Sequence, residues 1–314
     1  MKTYIIGHQK PDTDAVVSAL AYEYLAKQID CPNQPNPEAV IVDPLNPETT
    51  YLFEKFQLNS PRLIKANDLE TDDKVVLVDH NETNQRLPNL DQEKIIKIID
   101  HHKVNLNLNK PIFLNFKPWG STSTIIYQMM QTHQVKPTKQ LAALMLAAIL
   151  SDTVGFKSAT TTDKDKELAI KLAEIAEIGD IDAFTLEIFK AKSDLSQLDD
   201  YQVATNDYKI FDFGGKKVFV NQVETVDQAE IIANRKPALI QALAKVKDEM
   251  KVDLAFLAIS DILNVNTKIV VAGNEEAQVV ETAFGGKVVD QVIDIGPKLS
   301  RKKEIAPALE KALT

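Results

Sequence analysis

Apolar positions along the chain fall into short runs that stop on charged residues. Tyr4, Ile5 and Ile6 lead into Gly7, a short buried strand that Pro11 soon breaks. Val16, Val17, Leu20, Tyr24 and Leu25 then recur at helical spacing over residues 15–29. Residues 75–78 form a second buried strand ending at Asp79, and residues 95–99 a third ending at Asp100. A helix starting near Ser121 carries Ile125, Ile126, Met129 and Met130; further helices are predicted over 138–150 and 164–177. Strands alternating with helices predict a parallel sheet covered on both faces.

From Lys192 to Asp200 the chain turns polar, which predicts a linker over 192–198 between domains spanning 1–191 and 199–314. The second half has its own elements. Residues 209–213 and 217–223 read as a hairpin around Gly214-Gly215; a long helix precedes a strand over 254–259; another strand covers 268–272, with a helix after Gly273. No internal repeat or low-complexity tract appears. The expected fold class is α/β: an N-terminal parallel-sheet α/β domain and a smaller C-terminal α/β domain, with the active site in the cleft between them.

Composition narrows the partners. A length of 314 residues is comfortable for two cores. The formal net charge of −9 and the 6% aromatic content argue against a nucleic-acid surface, which needs cations for phosphates and rings for bases. The single cysteine, Cys31, fits a reducing compartment. The opening residues turn polar too soon for a signal peptide, and the longest apolar run, residues 141–150, is too short to span a bilayer. The expectation is a cytoplasmic protein with no membrane and no nucleic-acid partner.

The candidate chemistry sits where the apolar runs stop. Gly7-His8-Gln9-Lys10-Pro11-Asp12-Thr13-Asp14, Val78-Asp79-His80-Asn81-Glu82 and Ile99-Asp100-His101-His102 each combine imidazole and carboxylate at a strand end, and Ser151-Asp152 ends a helix. Ligands of an open parallel sheet bind at the carboxyl ends of its strands, so these side chains converge on one edge. His8, Asp12, Asp14, Asp79, His101 and Asp152 make a candidate metal-ligand set. That is more than one open site uses, which suggests two metals sharing a bridging carboxylate. Imidazole plus carboxylate without thiolate suits manganese, zinc or iron better than calcium, and leaves the metal's identity open.

Each residue alone has a plainer reading. Asp12 or Asp14 by itself is an N-cap for the helix that follows. His80 is more readily structural, or in support of a ligand, than a ligand itself, and His133 is a solvated helix end. Asp100 is placed to orient a neighbouring histidine. Gly120-Ser121-Thr122-Ser123-Thr124 opens a helix, and either holds an anion on its free N–H groups or is simply capped by serine and threonine. Ser300-Arg301-Lys302-Lys303 is either a phosphate-binding run or a solvated face; Lys209, Lys216 and Lys217 are equally open. What weighs for chemistry is four segments repeating the pattern.

Taken together, these motifs resemble the DHH phosphoesterase superfamily, and the 300–303 run resembles that of the family II inorganic pyrophosphatases, with the likeness covering essentially the whole chain. The resemblance implies one metal on His8, Asp12 and Asp79 and a second on Asp14, Asp79, His101 and Asp152, with Asp79 bridging. It implies that His102 faces substrate, and that Lys209, Arg301 and Lys302 bind phosphate. It further implies two Mn²⁺ per subunit, with Co²⁺ or Mg²⁺ as substitutes, Mg²⁺ accompanying pyrophosphate, and a homodimer formed through the N-terminal domain. The expected reaction is direct hydrolysis of pyrophosphate to two orthophosphates by a metal-bridging hydroxide. Relatives acting on polyphosphate or on nucleotides often carry a GGGH-type motif; the nearest segment here, Gly285-Gly286-Lys287, lacks the histidine. A sensor that binds metal and phosphate without chemistry is the reading of another class, and the complete ligand set argues against it.

Overall fold

The computed structural model describes residues 1–29, 31, 33–195 and 198–314. It divides into two compact units, Met1–Ala191 and Lys192–Thr314. Of the linker expected over 192–198, residues 196 and 197 lie outside the described residues.

The first unit runs β1 (Thr3–Ile6), α1 (Thr13–Gln28), β2 (Pro37–Ile41), α2 (Pro47–Lys55), β3 (Arg62–Leu63), β4 (Lys74–Val78), β5 (Ile95–Asp100), β6 (Phe113–Phe116), α3 (Thr122–Thr132), α4 (Lys139–Asp152), α5 (Asp163–Ala176) and α6 (Ile181–Lys192). Its six strands form a parallel sheet in the order β3-β2-β1-β4-β5-β6. Strand alternation sends successive side chains to opposite faces. Ile5, Val76, Val78 and Ile99 enter one core with α1 and α4, whereas Tyr4, Ile6, Val75, Leu77, Ile95 and Ile98 enter another. Both faces are covered, but unequally. Side chains of α1 to α6 all pack into the first core, while the second is closed by loop residues such as Leu69, Leu90, Leu106 and Leu108. α4 is the central helix of the first core, buried almost all round from Leu141 to Ser151, which explains its continuous apolar run.

The second unit contains α7 (Asp200–Thr205), β7 (Tyr208–Phe213), β8 (Lys216–Thr225), α8 (Gln228–Met250), β9 (Leu254–Asp261), β10 (Asn266–Val271), α9 (Asn274–Phe284), β11 (Val292–Asp294) and α10 (Ala306–Leu313). The sheet order is β11-β10-β9-β8-β7, with β8 and β9 parallel and the other pairs antiparallel. The β7–β8 hairpin turns at Gly214 and Gly215, both at positive φ, where glycine is unstrained. α9 and α10 pack on one face and α7 and α8 on the other. No helix among the described residues is long and apolar enough to cross a membrane.

Candidate metal centre

β1 and β4 are neighbours, yet the chain leaves β1 for β2 on one side and later enters β4 on the other. Connections diverging from adjacent strands leave a crevice at their carboxyl ends. His8 follows β1, Asp79 follows β4, and β5 beside it delivers Asp100, His101 and His102.

Gly7 lets α1 begin close against the end of β1. A Cβ there would lie 2.9 Å from both the Cβ and the carbonyl oxygen of Ala15. Asp12 does cap α1, accepting from the Ala15 N–H at 3.0 Å through Oδ1. Its other oxygen lies 3.6 Å from His8 Nε2. The capping reading and the site reading of Asp12 therefore hold together, one on each oxygen.

Asp79 is the shared residue. Its φ of 63° is in the left-handed region, which aspartate tolerates better than most residues. Its N–H donates to Ile99 O at 3.0 Å, and Thr122 Oγ1 donates to Oδ1 at 2.9 Å, so the turn is held at backbone and side chain. Oδ2 lies 3.5 Å from His8 Nε2 and Oδ1 lies 3.4 Å from His101 Nε2, which is itself 3.6 Å from Asp152 Oδ2. One ligand atom each from His8, Asp12 and Asp79 falls within a 4.8 Å cluster, and so does one each from Asp14, Asp79, His101 and Asp152. A third grouping, Asp79 with His101 and His102, places His102 Nδ1 at 3.9 Å from Asp79, but that nitrogen is engaged by Asp100.

These groups fit a pair of divalent cations. His8 Nδ1 donates to Gln9 O at 2.8 Å and His101 Nδ1 donates to Trp119 O at 2.9 Å. A carbonyl only accepts, so the proton sits on Nδ1 and each Nε2 is turned toward carboxylates. The buried Asp79 Oδ2 and His101 Nε2 have no hydrogen-bond partner among the described residues, a costly state for polar atoms out of water. The 3.4–3.6 Å gaps are too long for good hydrogen bonds. They lie at or just above the upper end of the spacing, roughly 3.0–3.5 Å, of two ligands each about 2.1 Å from one ion at octahedral or tetrahedral angles.

The electrostatics agree. Burial works against a charge on His8, but the carboxylates of Asp12 and Asp79 outweigh it and push its pKa up to about 11. At His101 burial is likewise outweighed, chiefly by Asp79, and the pKa rises to about 10. Burial would raise the pKa of Asp79, yet His101 and His8 hold it below the ordinary carboxylate range. Burial, and then the charge of Asp79, push Asp14 up to about 6. A field that draws protons onto two half-buried imidazoles is a field for cations generally, and a metal would displace those protons.

The segment 120–124 resolves in an unexpected way. Ser121 caps α3, accepting from the Ser123 N–H, and the anion at this helix start is Asp14 itself. Asp14 accepts from Ser121 Oγ at 2.8 Å, Thr122 N at 2.6 Å and Ser123 N at 3.0 Å. The helix N-terminus holds an internal carboxylate facing the cluster.

Asp100 orients His102. Its Oδ1 accepts from the His102 backbone N at 3.0 Å and from Nδ1 at 2.9 Å, and its Oδ2 accepts from Asn81 Nδ2 at 2.6 Å. The bond to Asp100 raises the pKa of His102 despite partial burial. His102 is half exposed, with Nε2 the ring nitrogen not used by Asp100. A cleft of about 610 Å³ opens onto Asp12, His101, His102 and Asp152, walled by Trp119 and Thr160.

His80 is fully buried, its Nδ1 donating to Val78 O at 2.9 Å, and burial lowers its pKa to about 4. It stands edge-on to His8 and belongs to none of the clusters. His133 is the exposed C-cap of α3.

Sequence reasoning missed Asp165. Fully buried, it accepts from Gly120 N, Thr124 Oγ1 and the Thr162 backbone and hydroxyl at 2.6–2.9 Å. It ties the start of α5 to the Trp119-Gly120 turn, whose carbonyl holds His101. Gly120 has no room for a side chain, since a Cβ would meet Thr153 at 2.6 Å. The available signal was the capping box of Thr162 and Asp165, which looks like any helix start.

Lys209, Arg301 and Lys302 all lie in the second unit. Lys209 and Lys302 are exposed, Lys209 on β7. Arg301 opens a π-helical turn, Arg301–Ile305, before α10, and its guanidinium is bonded to Asp207. Lys216 pairs with Glu275, and Lys217 is exposed.

Comparison with known proteins places this arrangement. The N-terminal domain of the DHH family matches residues 2–149, and the DHHA2 domain matches residues 186–312. The manganese-dependent inorganic pyrophosphatase of Methanocaldococcus jannaschii is 39% identical over 98% of each chain. That of Bacillus subtilis is 38% identical over 99% of each. Among solved structures, a family II inorganic pyrophosphatase from Methanococcus jannaschii is 38% identical, covers 99% of each chain and superposes with a TM-score of 0.62. An exopolyphosphatase-related protein from Bacteroides fragilis, at 16% identity and a TM-score of 0.50 over 99% of this chain and 91% of its own, shares the fold alone.

Proposed function

We propose a two-metal hydrolysis of pyrophosphate for this chain, which belongs to the family of manganese-dependent inorganic pyrophosphatases. The observation that carries the mechanism is the carboxylate of Asp79, which turns one oxygen toward His8 and the other toward His101. His8, Asp12 and Asp79 hold one ion; Asp14, Asp79, His101 and Asp152 hold the other. Bound there, manganese supplies Lewis acidity to the phosphoryl oxygens and acidifies a water near neutral pH.

The chain's own residues do the rest. Gln9 O and Trp119 O keep His8 and His101 in the tautomer that offers Nε2. The helix start at Ser121 orients Asp14 through three hydrogen bonds and opposes the upward push of burial on its pKa. Asp100 keeps His102 protonated on Nδ1 and raises its pKa, so Nε2–H is a donor to the bridging oxygen or the leaving phosphate. Lys209, Arg301 and Lys302 bind phosphate oxygens, Arg301 through its planar fork and the lysines as point charges. On the family likeness, Mg²⁺ accompanies the substrate and Co²⁺ or Mg²⁺ can substitute for manganese. A homodimer formed through the first unit is proposed on the family likeness, and a cytoplasmic location on the single cysteine.

Phosphate release tests this reading. The purified chain, stripped with chelator, is assayed on pyrophosphate, tripolyphosphate and a dinucleotide with Mn²⁺ or Mg²⁺ restored. Activity that returns with Mn²⁺ and prefers pyrophosphate is the expected result. Preference for either other substrate, or binding without phosphate release, contradicts it.

A further inference from the structure

Arg301 is held at two levels by residues the reaction does not otherwise use. Its guanidinium donates from Nη1 to the backbone carbonyl of Asp207 and from Nη2 to Asp207 Oδ1 at 2.9 Å. Its backbone N–H donates to Gln222 Oε1 at 3.2 Å. Gln222 is buried on β8, and its Nε2 donates to Leu299 O at 2.7 Å and to Ser260 Oγ at 3.2 Å. One amide thus grips the chain on both sides of Ser300. The two braces are joined, since the Gln222 N–H donates to the same Asp207 carbonyl at 3.0 Å. Asp207 is anchored in turn by its N–H to Asn221 Oδ1 at 3.0 Å.

The physical consequence is pre-ordering. A free arginine side chain samples many rotamers, and a phosphate that binds it must bear the cost of fixing one. Here one part of the guanidinium is already engaged and the remaining N–H donors are left for a second anion. The side chain is only 18% exposed, while that of Asp207 is 64% exposed. Asp207 is therefore not needed to fill a core; its carboxylate acts on the arginine.

We propose that Asp207, braced by Gln222, is a positioning residue that pre-orders Arg301 for a phosphoryl group of the substrate. The inference rests on the reading of Arg301 as a phosphate contact. The full-length, manganese-loaded chain is compared as wild type, Asp207→Ala, Asp207→Asn, Arg301→Ala and the Asp207→Ala/Arg301→Ala double variant. Asp207→Ala is expected to raise KM for pyrophosphate about tenfold while kcat stays within about twofold, with manganese content and melting temperature unchanged. Asp207→Asn, which keeps an acceptor oxygen, is expected to recover most of the loss. In the Arg301→Ala background, Asp207→Ala is expected to add nothing. Wild-type kinetics in Asp207→Ala, a lowered KM, or losses that multiply in the double variant would each overturn the proposal. A wild-type chain that releases no phosphate would instead sink the functional reading. The same proteins are then compared for pyrophosphate binding by calorimetry, where non-additive losses support the positioning role and multiplying ones overturn it.

Discussion

In the first unit two carboxylates, Asp14 and Asp79, are packed out of water beside half-buried imidazoles with atoms left unpartnered among the described residues, whereas in the second unit Lys209 and Lys302 stand at the surface and Arg301 is already paired. Asp79 and Asp14 are fully buried, and two ligand atoms have no hydrogen bond. Lys209 and Lys302 are exposed, and Arg301 has its carboxylate in Asp207. Buried like charges are stable only with a counter-ion, so the first site is built around something it must bind. The second needs no ligand to be stable, and under the proposed function it would contribute to binding only when phosphate arrives. The first should therefore fail by losing metal, and the second by losing affinity for substrate.

The contrast is broken most sharply at Asp79. Asp79→Ala removes a ligand from both ions and is expected to cost about a thousandfold or more in turnover, with manganese content falling in dialysis. Normal metal content in that variant would refute the shared site. Arg301→Ala should retain its manganese and lose about a hundredfold in kcat/KM, measured by steady-state phosphate release. Asp100→Asn sharpens the role of His102, with an expected loss of about tenfold to a hundredfold. Because Asp100 raises the His102 pKa, its removal lowers that pKa. If protonated His102 is the donor, the alkaline limb of the pH–rate profile moves to lower pH.

The gentlest test needs no mutation. His8 and His101 titrate near 11 and 10 without metal, so both carry a proton at pH 8 that each ion must displace. Loading at pH 8 is expected to release about three protons per chain, two from the histidines and one from the water the metals acidify, read with a pH indicator in weak buffer. Apparent affinity for each ion then rises about tenfold per pH unit between roughly pH 7 and the histidine pKa, and falls as pH is lowered.

The sequence made the site more legible than its surroundings. The strand 75–78 is apolar on both faces and 95–99 is interrupted only by Lys97, so each stops visibly at its aspartate, and His8, Asp79, His101 and their neighbours stood out by ending apolar runs. β2 was not among the predicted strands although Ala39-Val40-Ile41-Val42 stops at Asp43 in the same way, and β6 is an edge strand whose Phe113 and Leu114 are exposed, so no burial marks it. Periodicity also says nothing about which face of a sheet a helix covers; all six helices of the first unit share one. Asp165 and Asp207 escaped for a different reason. Their work is hydrogen bonding to residues distant in sequence, Gly120 and Arg301, and spacing records no such partner.

Anomalous diffraction at the manganese edge from crystals of the loaded chain tests the shared carboxylate most directly. Two peaks per chain are expected about 3.5–4 Å apart, each within bonding distance of a different oxygen of Asp79. A single peak, or two of which only one touches Asp79, would contradict it.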